Sequence, residues 1–164
     1  MAVYFNEKGT ILMKKILLTT VCVLLISCAN APTARDTTVN DAQNDYRILQ
    51  QALDRLPNKK SSCSSSTFEL AVSSADLLET RMMRNYNATK DARYSNTQKR
   101  VLKEELDVIT PLAASARLAL ADKALALGCM SEAKKHYSSI LETFVGLGYA
   151  AYRDRAKVGL ADLR

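Results

Sequence analysis

The chain has 164 residues, with 23 Lys+Arg against 17 Asp+Glu, four Cys, one His and no Trp. That length fits one domain, and an apolar share of 48% is too high for full disorder. Five Gly and three Pro are too few for a β-sandwich, which needs a breaker every ~8–12 residues, and one His excludes a site built on two imidazoles of this chain.

Met13 to Cys28 reads MKKILLTTVCVLLISC. Lys14 and Lys15 form a basic start, and Ile16 to Ile26 is apolar apart from Thr19 and Thr20. Such a stretch suits the ~7–15-residue core of an export signal and falls short of the ~20 residues that span a bilayer. It closes on Leu25-Ile26-Ser27-Cys28, which resembles the lipobox of bacterial lipoproteins. The resemblance implies cleavage before Cys28, a diacylglycerol thioether on its sulfur and acylation of the new amino terminus. No other cofactor is expected. Acyl chains at roughly 0.8 kcal/mol per buried CH₂ would hold the chain firmly on a bilayer. In such lipoproteins an Asp after the lipidated Cys favours the inner membrane. Ala29 stands there instead, which implies the periplasmic face of the outer membrane.

Met13 is the expected start, with residues 1–12 an upstream extension, 13–27 the signal, 28–37 a polar flexible tether and 38–164 a helical domain. Losing residues 1–27 removes Lys8, Lys14, Lys15 and Glu7, so 20 basic and 16 acidic residues remain. The charge falls to a mild +4. Nucleic acid, absent from the periplasm, is therefore not an expected partner.

The mature chain carries helical periodicity throughout. Val39, Ala42, Tyr46, Leu49, Leu53 and Leu56 form a first apolar stripe, which Pro57 ends; Asn58 to Ser65 reads as a loop. Ser66-x-x-Glu69 is a capping box for a second helix with Phe68, Val72, Ala75, Leu78, Met82 and Tyr86 on its buried face. Asn85 to Tyr94 reads as loop, and Ser95-x-x-Gln98 caps a third helix carrying Val101, Leu102, Leu106 and Ile109. Thr110-Pro111 fits the start of a fourth helix, which runs through Leu120 and Ala124 to a stop at Gly128. Ser131 caps a fifth helix, with Ala133, Tyr137, Ile140, Leu141 and Phe144 as its apolar face. Gly146 and Gly148 separate it from a sixth through Tyr152, Ala156, Leu160 and Leu163. The expected fold is all-α, about six helices arranged as antiparallel hairpins.

Within residues 111–164, Leu120-Ala121, Leu127-Gly128, Glu132-Ala133, Tyr137 and Ile140-Leu141 resemble the tetratricopeptide repeat. The resemblance implies two helices brought close by Ala121 and Ala133, with Tyr137 filling the groove between them. Arg117, Ala124 and Val145 depart from the pattern, standing where it has an aromatic, a tyrosine and a proline.

Cys63 and Cys129 would remain after export, and an oxidising compartment favours bonding them; two separate thiols is the alternative. A metal site from Cys63, Cys129 and His136 would lack a fourth ligand, so no metal is expected. His136, beside Lys134 and Lys135, reads as solvated. Glu104 and Glu105 diverge by roughly 100° on a helix and lie among Lys99, Arg100 and Lys103, which points to a solvated face with i,i+4 pairs such as Lys99–Lys103–Asp107 and Arg100–Glu104 rather than glycosidase carboxylates. Met82 and Met83 are expected in the core, with a soft-metal site or an adaptable binding surface as the alternative, and the sequon Asn87-Ala88-Thr89 is coincidental. No phosphate loop, GxSxG or HExxH is present, so no catalytic residue is assigned and no enzyme activity is expected. Tyr149, Tyr152 and Arg153 are candidates to line a peptide groove, with core and rim packing as the competing assignment. The expected function is a membrane-anchored adaptor binding envelope proteins in assembly or secretion. A pilotin-like secretin escort, or a cell-wall enzyme or its activator, is the alternative.

Overall fold

A computed structural model describes residues 34–163. It contains five α-helices: α1 (Ala34–Asp54), α2 (Ser66–Lys90), α3 (Asn96–Ala126), α4 (Met130–Thr143) and α5 (Ala150–Ala161). Two 3-10 turns, Lys60–Ser64 and Leu147–Tyr149, join them, and no strand occurs among the described residues. The fold is all-α, with five helices where six were expected.

The missing boundary is at Pro111. The third and fourth expected helices are one, α3, with Pro111 inside it. A proline in a helix interior removes one hydrogen bond and costs about 3 kcal/mol. Here the flanking turn offsets that cost by burial, since Ile109, Ala113, Ala114 and Ala116 are all within 2% of full enclosure.

Other ends follow local chemistry more closely. Ser95 Oγ accepts from the Gln98 N–H at 3.3 Å, and the Gln98 side chain accepts from the Ser95 N–H at 2.8 Å, the reciprocal box expected there. α2 is capped one residue early, by Ser65 rather than Ser66. It also continues through the expected loop to Lys90, because Asn85 is buried and donates to Glu105 at 2.7 Å. α1 begins inside the expected tether, at Ala34. Gly128 adopts φ +74° and ends α3. Its N–H bonds the Leu125 carbonyl at 2.9 Å and the Cys129 N–H bonds that of Ala124 at 2.8 Å, a Schellman stop. The next helix starts at Cys129 without a side-chain cap, so Ser131 does not play that part.

α3 packs against α2, α4 and α5, and α5 also lies on α4. The apolar core joins Phe68, Ala75, Leu78 and Met82 of α2 to Ile109, Ala116, Leu120 and Ala124 of α3 and to Ala133, Tyr137 and Ile140 of α4. Ala42, Leu49, Ala52, Leu53 and Leu56 bring α1 and its exit into the same core. Ala121 and Ala133 are both fully enclosed, and a Cβ at Gly159 would overlap the Tyr137 ring. Small residues thus set the close approach along α3, α4 and α5. Tyr86, expected to face inward, is instead 44% exposed.

Candidate functional site

Cys28 and the boundaries drawn before residue 34 lie outside the described residues. Among those residues, no helix is long and apolar enough to cross a membrane. Cys63, in the turn Lys60–Ser64, and Cys129, at the start of α4, stand at disulfide distance with Cα atoms 6.5 Å apart. They link the segment before α2 to α4.

Tyr149, Tyr152 and Arg153 separate. Tyr152 OH is 3.2 Å from Ser115 Oγ and ties α5 to α3. Arg153 donates to the Leu141 carbonyl at 2.6 Å and the Phe144 carbonyl at 3.4 Å, satisfying acceptors at the end of α4. Tyr149 borders a groove of about 380 Å³. Its ring meets Phe144 edge-on, with centroids 6.0 Å apart.

The groove runs between α2, α3 and the segment after α4. Met82, Met83 and Tyr86 form one wall, Leu106, Asp107 and Thr110 the second, and Thr143, Phe144, Val145 and Tyr149 the third. Met82 and Phe144 are core residues forming its floor, whereas Met83, Tyr86 and Val145 are 41%, 44% and 72% exposed. Met83 therefore departs from its expected core place. It lies one position off the buried stripe, and that offset is the sequence signal for it. A Met-lined apolar opening suits adaptable contacts.

Behind Met83 a second recess is lined by Asp76, Glu79, Thr80 and Arg117. Arg117, the tetratricopeptide departure, is 7% exposed and reaches from α3 to α2. Its Nη2 donates to Asp76 at 2.8 Å and also to Glu79. Glu79 in turn accepts from Thr143 Oγ1 at 3.1 Å. An arginine enclosed among Ala113, Ala114, Ala116, Leu120 and Ala121 needs counter-ions, which the part-exposed Asp76 and Glu79 of α2 supply.

His136 belongs to this cluster rather than to solvent. It is fully buried because it shares a helix face with Ala133, Tyr137 and Ile140, while Lys134 and Lys135 point outward. Its Nδ1 is 3.4 Å from Arg117 Nη1; a guanidinium only donates, so Nδ1 accepts and the proton sits on Nε2. That Nε2 makes no hydrogen bond to protein, and the closest carboxylate, Glu132, is 3.8 Å away. Burial, then the nearby Arg117 and Lys135 charges, hold the imidazole pKa down to about 4.

The acidic pair also divides. Glu105 is 5% exposed and bound to Asn85, while Glu104 lies 4.0 Å from Arg100, the pairing expected from the sequence. The expected solvated face thus holds for Glu104 and fails for Glu105, which the α2 contact turns inward. Tyr137 OH donates to Asp122 at 2.7 Å, and burial together with that carboxylate raises its pKa.

No family model, curated protein or solved structure matches this chain.

Proposed function

We propose that this chain is a lipoprotein held by a lipid on Cys28 at the periplasmic face of the outer membrane, where its helical domain binds other envelope proteins. The observation that carries the binding role is the groove whose rim leaves Met83, Tyr86 and Val145 uncovered. Such apolar surface has a reason when a partner covers it. The lipobox residues Leu25 to Cys28 support the anchor, and the Cys63–Cys129 pair at disulfide distance suits an oxidising compartment. Anchoring confines the domain near membrane-bound partners and raises their effective concentration. The role is tethering, with no chemical step assigned. An escort of secretin subunits is a second reading that the same apolar groove favours.

Two measurements test the proposal. Cys28→Ala is expected to move the protein from the membrane to the soluble fraction; continued membrane association defeats the anchor. Cross-linking in the native envelope followed by mass spectrometry is expected to recover a protein partner joined near Met83 or Val145. Recovery of none defeats the adaptor role.

A further inference from the structure

We propose that the groove takes an apolar segment of another protein that carries a lysine or arginine, its cation seated on the Asp107 wall. The inference rests on the adaptor reading and adds the chemistry of the partner. Asp107 is the charged residue of the groove lining, and it is exposed. Four residues on, Pro111 has no N–H, so the Asp107 main-chain carbonyl loses its helical donor. One turn of α3 thus presents a carboxylate and a carbonyl lacking its usual partner, both of which only accept. A cationic donor is the group that complements them.

The adjoining recess adds to the same field. Across Met83, Asp76 and Glu79 share the single Arg117 guanidinium, leaving one net negative charge, and the Asp76 side chain is 59% exposed. Lys90, which is not part of the lining, lies 3.9 Å from the centre of the Tyr86 ring and ends α2, where it offsets the negative end of the helix. The groove lining itself therefore carries one charge, the negative Asp107, on a chain whose net charge is +6, or +4 after loss of residues 1–27. Long-range attraction would favour acidic partners for such a chain, so a preference for a basic one can come only from the local site. The apolar wall supplies affinity, and Asp107 supplies selection between partners.

The test uses the purified chain and three short amphipathic peptides built on Leu and Ala, with Lys, Glu or Ser at the polar positions. Fluorescence anisotropy is expected to rank them Lys, Ser, Glu, with about tenfold separating the first from the last, as one favourable ionic contact would give. Asp107→Lys is expected to reverse the ranking, and Met83→Ser or Val145→Ser to weaken all three peptides alike. Circular dichroism checks that each variant keeps its helices. Equal binding of the Lys and Glu peptides, or a ranking that survives Asp107→Lys, overturns the proposal. If the chain instead forms dimers that Met83→Ser separates, a second copy is the occupant and the proposal also falls. Binding of none of the peptides, while cross-linking in the envelope still captures a partner, refutes this partner chemistry and leaves the adaptor role standing. Absence of any cross-linked partner defeats the adaptor role by itself.

Discussion

Two seams border α4, and they are filled in opposite ways. Toward α5, Tyr137 lies against Gly159 so closely that even one added carbon would overlap its ring. Toward α2, the end of α4 opens on a groove of about 380 Å³ whose rim keeps Met83 and Val145 uncovered. Both seams have apolar walls, and beside the Tyr137 contact a cleft of about 640 Å³ lies between α3 and α5, bordered also by Asp122, Arg155 and Asp162. The difference is at the point of contact, where the closed one pairs a large ring with a residue lacking a side chain and the open one sets Met83 and Val145 around a groove. Complementary size closes an interface; apolarity alone does not. The closed seam should accordingly govern stability and the open one recognition.

The largest expected effects therefore lie in the closed part. Tyr137→Ala is expected to cost about 4 kcal/mol by chemical denaturation, from lost burial and the cavity left behind. Gly159→Ala should be destabilising in the wild type and close to neutral in the Tyr137→Ala background, because the overlap has gone. Equal costs in both backgrounds would break the size-matching account. Cys63→Ser, which prevents a bond to Cys129 across 66 positions, is expected to cost about 4 kcal/mol on a chain-entropy basis. An unchanged melting temperature would show that the pair carries no such constraint.

Arg117→Met comes next, at about 3 kcal/mol, because it strands Glu79 in a partly buried place. Adding Glu79→Leu should recover most of that loss, and a double-mutant cycle measures the coupling. A pH effect of similar size follows from His136. Its folded pKa of about 4 lies below its ordinary 6.5, so the unfolded chain takes the proton first as the solution is acidified. The associated stability is present in full above pH 6.5, is lost as pH falls toward 4, and changes no further below that. The drop is up to about 3 kcal/mol. Chemical denaturation from pH 7 to pH 4 checks it, and His136→Gln should flatten the profile over that window. Smallest are the stability effects in the open seam, where Met83→Ser and Val145→Ser should shift unfolding by no more than about 0.5 kcal/mol. A large loss there would mean that the groove is part of the core.

How far these features can be read from the sequence depends on how local their causes are. The Ser95–Gln98 box, the Gly128 stop and the stripes of α1 and α3 depend on neighbours within a few positions, and each is found as expected apart from Pro111. Pro111 misleads because a local rule about helix starts meets the burial of Ile109, Ala113 and Ala114, which holds the helix together through it. His136 misleads in the opposite sense. Its flanking lysines suggest solvent, but at 3.6 residues per turn they face away while His136 follows Ala133 onto the buried side. Glu105 and Arg117 were illegible for another reason: each is enclosed only because a partner on α2, Asn85 or Glu79, comes from a distant part of the chain. The groove shares that origin, since its walls come from three separate segments.

The order of packing, in which α2, α3 and α4 each lie against the helix that follows, also bears on how fast the domain forms. Most of its contacts join segments close in sequence, and chains of low contact order search little before the native pairing is found. Refolding within milliseconds is the corresponding rate expectation. Stopped-flow dilution from denaturant would record it as a steep folding limb governed by α3, which packs against α2, α4 and α5.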